Sequence, residues 1–260
     1  MFNAPLTVVL IALSMPVLFF FQQRLPDGGA GMAFAPADLA EGRWGTLFTV
    51  MLLHGGWAHA IMNAIAALAF GAPVARLFGD RIGPTVFLLF YVACGALAAL
   101  GYGLVHWGST QPMVGASGAV FGLIGAATRL MGGQGRVLPL TDRRVLSASP
   151  AWMAVNVVVG LIGYAPGVQG ARIAWEAHAV GFVVGILAIG PWRACSARDP
   201  NRRAPRRFDS PIGLSDHRSR AALSPSRPRG RLFHREKEPR CSSPKSSRPR
   251  ETPSSPLRRI

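Results

Sequence analysis

Six apolar runs organise the first 192 residues: Pro5–Phe21, Trp57–Phe78, Pro84–Val105, Val114–Met131, Pro150–Ala165 and Ala174–Trp192. A helix needs about 20 mainly apolar residues to cross a bilayer core, and each run approaches that length. None alternates apolar and polar residues as a transmembrane barrel strand does. Backbone groups in hydrocarbon must be satisfied internally, so runs of this kind are read as helices. The pattern predicts an all-α membrane protein built as a six-transmembrane-helix bundle. The first run lacks a basic lead and a small-residue cleavage site, and is read as a retained membrane helix rather than a signal peptide. The longest polar interruption, residues 22–56, is rich in Gly, Pro and aromatics, and a loop of that length is expected to carry packed structure of its own.

Composition agrees and adds a boundary. Half of the residues are hydrophobic, and the mean hydropathy is +0.28, high for a soluble protein. Residues 1–192 hold nine Lys/Arg against six Asp/Glu, whereas 193–260 hold nineteen against six. The pI of about 11.6 therefore describes the tail. Two regions follow: a membrane domain over 1–192 and a basic, Arg/Ser/Pro-rich tail over 193–260, which lacks the apolar residues for a core and is expected to be disordered. Such a tail suits anionic lipid at a membrane surface. A solvated tail with no specific partner is the simpler reading, and no recognition motif supports nucleic-acid binding. The three cysteines, Cys94, Cys195 and Cys241, show neither CxxC nor metal spacing. No disulfide framework is expected, and Cys94 is read as a small hydrophobe.

Charge also sets an orientation. Arg76 and Arg81 lie between runs two and three, and Arg129, Arg136, Arg143 and Arg144 between runs four and five. These loops and the tail share one side of a six-span bundle, and the positive-inside rule makes that side cytoplasmic, with both termini inside. Runs two, four and six then enter from the outer face. His59 and Asn63, Ser117, and His178 all fall near the outer ends of those runs, at a common depth.

Those four residues carry the candidate chemistry. Ser117 sits in Gly115-Ala116-Ser117-Gly118. A serine is a weak nucleophile until a base takes its proton, and histidine, here His178, suits that task near neutral pH. Gly118, Gly122 and Gly125 in run four, with Gly181 and Gly185 in run six, would let the two helices cross closely and bring Ser117 to His178. His59 and Asn63, spaced i, i+4, share one helix face. With the Ser117 backbone N–H they make a candidate set of donors for an oxyanion. The plainer alternative is glycine packing with polar side chains bonded across helices. Phe121, one turn after Ser117, could stack on the His178 ring or pack as an ordinary core or lipid-facing aromatic. No carboxylate suits a third position: Glu176 points to another face than His178, and Asp80 and Asp142 fall on the cytoplasmic side. A Ser–His dyad is the natural reading. His54 is read as structural and His106 as an exposed loop residue. A zinc site from His54, His59 and His178 lacks the HExxH spacing and a carboxylate, so no metal is expected.

On these residues the chain resembles the rhomboid family of intramembrane serine proteases. Gly115-Ala116-Ser117-Gly118 matches the family's GxSG, His59-Ala60-Ile61-Met62-Asn63 its HxxxN, and Ala177-His178-Ala179-Val180-Gly181 its AHxxG. Leu53-His54-Gly55-Gly56-Trp57-Ala58-His59 is similar to the family's approach to its second helix. The resemblance extends over most of 43–185. It implies a six-helix core with Ser117 as nucleophile, His178 as general base, and His59 and Asn63 as oxyanion-stabilising side chains. Gly115, Gly118 and Gly181 would be structural glycines near the site. It implies no metal or organic cofactor, transmembrane proteins as substrates, cleavage near the outer face, and residence in the bacterial inner membrane. Gly42-Arg43-Trp44 departs from the family's usual Trp-Arg pair, and the basic tail has no counterpart in the core pattern. A proteolytically inactive rhomboid-like protein that binds transmembrane clients is the alternative. A transporter is disfavoured because the chain shows no internal repeat or paired broken helices.

Overall fold

Each apolar run holds a helix, but three differ in extent from the hydropathy pattern. The computed structural model describes residues 5–162 and 173–197, and the rest of the basic tail lies outside the described residues. The helices are α1 (Leu6–Gln22), the single turn α2 (Thr46–Thr49), α3 (Trp57–Phe78), α4 (Gly83–Val105), α5 (Ser117–Thr128), α6 (Arg143–Ile162) and α7 (Trp175–Ala197). Among the described residues there is no strand, only one isolated bridge between Phe34 and Met113. Four helices, α3, α4, α6 and α7, are long and apolar enough to cross a membrane, while α1 and α5 are apolar but shorter.

α5 is the first departure. The apolar run covers Val114–Met131, but only the 12 residues Ser117–Thr128 are helical. At about 1.5 Å per residue such a helix spans roughly 18 Å, well short of a bilayer core. The shortfall has a local cause. Gly115 takes φ +129°, a conformation side chains resist, and the helix cannot begin before it. Beyond Thr128 the chain turns through Gly132 and Gly135, both at positive φ. Ser117 is thereby set at the very start of α5.

α6 is the second. The pattern placed its start at Pro150, yet it begins at Arg143 and carries Pro150 inside. Asp142 supplies the start signal: its Oδ1 accepts from the Arg144 N–H at 2.9 Å, satisfying one of the orphan donors of the first turn. α7 likewise runs five residues past the expected boundary at Trp192.

α5 occupies the middle of the bundle and touches α3, α4, α6 and α7, most extensively α7. All its residues from Gly118 to Thr128 are buried except Phe121. The α5–α7 crossing is a backbone contact. A Cβ at Gly181 would lie 2.1 Å from the Gly118 carbonyl oxygen, one at Gly185 1.9 Å from that of Gly122, and one at Gly125 2.2 Å from that of Phe182. Arg129 locks the far end of this pair, its guanidinium donating to the Leu138 carbonyl at 2.7 Å and the Ile186 carbonyl at 3.0 Å. α6 is the opposite case: of its 20 residues only Val145 and Asn156 are buried.

Residues 23–56 form the packed loop that their length suggested. They hold short 3₁₀ turns at Ala30–Met32, Pro36–Leu39 and Val50–Leu52 around α2. The Asp38 carboxylate is 1% exposed and pairs with Arg43, which also bonds Glu41. Arg43 thus serves the loop's interior, while Trp44 is exposed.

Candidate active site

The site begins with the strand-like stretch before α5. Phe34 and Met113 exchange backbone hydrogen bonds at 3.2 and 2.8 Å, and the Gly115 N–H donates to the Val50 carbonyl at 3.0 Å. These bonds pin residues 113–115 to the long loop and fix where α5 starts. A Cβ at Gly115 would stand 2.7 Å from His59 Cε1, so glycine is what lets the His59 ring lie against this backbone.

Ser117 Oγ and His178 Nε2 are 2.8 Å apart, bridging the first turns of α5 and α7. The Phe121 ring stacks on the His178 imidazole, with centroids 4.4 Å apart and planes within 5°. The glycine contacts below hold the two backbones close enough for this geometry, and the stack limits rotation of the imidazole.

His59 and Asn63 stand one turn apart on α3. The Gly55 N–H lies 3.3 Å from His59 Nδ1. A backbone N–H only donates, so Nδ1 is the acceptor and neutral His59 carries its proton on Nε2, the nitrogen that faces Gly115. Asn63 is buried, and its Nδ2 has no partner among the described residues. A buried, unpaired amide donor is costly, and its retention calls for an explanation. All four residues line one cavity of about 320 Å³, together with Met62, Val120, Phe121, Ile124 and Asn156. Most of its wall is apolar.

The remaining expected residues fall as follows. Gly118 and Gly181 face each other across the α5–α7 crossing, below the serine. Glu176 turns away from His178 and pairs with His106 at 3.3 Å. His106 is therefore not a free loop residue: it also packs on Tyr102 with centroids 4.5 Å apart. His54 is 1% exposed and lies edge-on to His59, and its backbone N–H and carbonyl are both bonded by the Gln22 side chain, at 2.9 and 3.0 Å. Asn156 escaped the sequence reading. Its Oδ1 lies 3.0 Å from His178 Nδ1. The available signal was that it is the one strongly polar side chain in the run Pro150–Ala165.

The Rhomboid domain family profile matches residues 41–193, more than half of the chain and every residue of this site. The chain belongs to the rhomboid family. With four span-length apolar helices, this rhomboid-family protein is an integral membrane protein. It is 31% identical over 131 residues to "Rhomboid protease GluP" of Bacillus subtilis (strain 168), covering 48% of this chain and 24% of that protein. It is 35% identical over 91 residues to "Putative rhomboid protease YdcA" of the same organism, covering 34% of this chain and 41% of that one. The matches thus span about a quarter and two fifths of these curated relatives' lengths.

Proposed function

We propose that this rhomboid-family protein is an intramembrane serine endopeptidase that hydrolyses peptide bonds in or near the transmembrane segments of membrane proteins. The observation that carries the reading is the 2.8 Å contact between Ser117 Oγ and His178 Nε2 on the wall of a cavity that Asn63 and His59 also line. Ser117 Oγ attacks the scissile carbonyl carbon while its proton passes to His178 Nε2. The carbonyl oxygen gains negative charge, and His59 Nε2–H, Asn63 Nδ2–H and the Ser117 N–H are the donors available to it. The unpaired Asn63 amide is explained by this role, since its acceptor arrives only with the substrate. His178 returns the proton to the departing amide nitrogen as the C–N bond breaks. Water, deprotonated by the same imidazole, then hydrolyses the acyl-enzyme and frees Ser117.

The apolar helices and loop charges support six spans. In that arrangement α1 and the short α5 count as spans, both termini are cytoplasmic, and the serine lies just below the outer face of a bacterial inner membrane. Residues 193–260 are a basic appendage to the membrane domain, facing anionic lipid or solvent and outside the chemistry.

The test is fluorophosphonate labelling of purified protein in detergent, where Ser117 Oγ displaces fluoride from phosphorus. Wild type should label, and Ser117→Ala and His178→Ala should not, with all three retaining the same thermal unfolding midpoint. A folded wild type that never labels would instead favour a client-binding protein without proteolytic activity.

A further inference from the structure

We propose that Asn156 is a positioning residue for the general base: its side-chain oxygen holds His178 in the Nδ1–H form and leaves Nε2 free to take the Ser117 proton. The proposal rests on the protease reading above and assigns a third member to what the sequence presents as a dyad. Three observations carry it.

The first is orientation. Asn156 Nδ2 donates to the Trp175 carbonyl at 2.8 Å, while Oδ1 lies 3.0 Å from His178 Nδ1. The oxygen and nitrogen of an amide are interchangeable by a flip, and the network decides between them. Here the decision is forced. A backbone carbonyl accepts and never donates, so the amide nitrogen must face Trp175 and the oxygen must face His178. An oxygen there accepts only from a protonated Nδ1. The neutral imidazole then keeps its lone pair on Nε2, 2.8 Å from Ser117 Oγ, which is the form a general base requires.

The second is placement. α6 is the least buried of the long helices, and Asn156, 3% exposed, is one of its two buried residues. A polar side chain held inside an otherwise apolar membrane helix is costly unless it has work to do there. Packing alone would select an apolar residue at this position.

The third is division of labour. Phe121 stacks flat on the imidazole and fixes the ring plane. A stack does not distinguish one ring nitrogen from the other. The Asn156 bond supplies that distinction, and since among the described residues no carboxylate bonds Nδ1, a neutral amide does so without a buried charge.

The experiment measures the second-order rate constant for fluorophosphonate labelling of the full chain in detergent, normalised to folded protein, for wild type, Asn156→Leu and Asn156→Asp. Leucine keeps the branching at Cγ and removes the acceptor. Aspartate keeps the acceptor and removes the donor to Trp175. The leucine variant should label about 10–10²-fold more slowly. That is less than the ~10⁴-fold loss known when a serine-protease aspartate loses its acceptor role, because an amide brings no charge. The aspartate variant should regain most of that rate. In parallel, ¹⁵N-histidine spectra, with His178 assigned by difference against His178→Ala, should show Nε2 as the unprotonated nitrogen in wild type and an averaged pair in Asn156→Leu. This second readout needs no turnover and stands if labelling of a variant is too slow to measure. Leucine labelling at the wild-type rate would overturn the proposal, as would aspartate as slow as leucine at an equal unfolding midpoint. A folded wild type that does not label sinks the protease reading and this inference together. A labelling wild type with unaffected variants sinks the inference alone.

Discussion

Gly181→Ala isolates the contact on which the site depends. The new Cβ would lie 2.1 Å from the Gly118 carbonyl oxygen, and that oxygen is backbone, so no side chain can swing away to make room. Carbon and carbonyl oxygen settle at about 3.3 Å even in a favourable C–H···O contact, so α5 and α7 must part by roughly 1.2 Å. Gly181 follows His178 by three residues, and Gly118 follows Ser117 directly, so the separation is transmitted to the pair itself. The present 2.8 Å between Ser117 Oγ and His178 Nε2 would open to about 4 Å, beyond hydrogen-bond range. A misplacement of that size costs about 10²-fold in rate. The overpacking should also destabilise the fold by about 1–3 kcal/mol. Fluorophosphonate labelling rate and the thermal midpoint in detergent report the two effects separately. Gly190→Ala is the control on the same helix, since a Cβ there meets nothing nearer than the Arg129 guanidinium at 3.6 Å. Wild-type labelling by Gly181→Ala, or an equal loss in Gly190→Ala, would refute the claim that this crossing sets the catalytic distance.

Other expectations follow from the same geometry. Asn63→Ala should slow turnover of a transmembrane substrate by about 10²–10³-fold and leave some activity, because His59 and the Ser117 N–H remain as donors; full activity would remove Asn63 from the oxyanion set. Arg129→Lys should destabilise by about 1–3 kcal/mol in thermal unfolding, since one ammonium cannot reproduce a guanidinium that bonds both the Leu138 and Ile186 carbonyls. In the loop ahead of α3, burial, with His59 beside it, pushes the His54 imidazole from its ordinary 6.5 down to about 4. The unfolded chain binds a proton there that the folded chain excludes, so stability is complete above pH 6.5 and is lost as pH falls toward 4. At pH 5 the loss is about 2 kcal/mol, and it should vanish from the pH dependence of unfolding in His54→Leu. Deleting residues 198–260 should leave labelling of Ser117 unchanged; loss of labelling in a folded, inserted truncation would contradict the division into membrane domain and appendage.

Hydropathy by itself determined that this chain is helical and built for a membrane, because the energetic demand of lipid acts on every residue of a run. α3 begins and ends where its apolar run does, Trp57 to Phe78, and α1 and α4 lie within a residue of theirs. Local chemistry overrode hydropathy in two places: Gly115 withheld the helix from Val114–Ala116, and Asp142 started α6 ahead of its apolar run. The candidate site divided in the same way. Residue types and i, i+4 spacing singled out Ser117, His178, His59 and Asn63, since those depend on identity and local periodicity. Only the tertiary structure decided that Ser117 and His178 meet at 2.8 Å, that Glu176 is taken by His106, and that the Asn63 amide waits unpaired. It alone brought Asn156 to His178 Nδ1, twenty-two positions away in sequence and on a different helix. The glycine spacing announced a close crossing of α5 and α7, but a hydrogen bond between helices depends on their rotation and separation, and these only the assembled backbones fix.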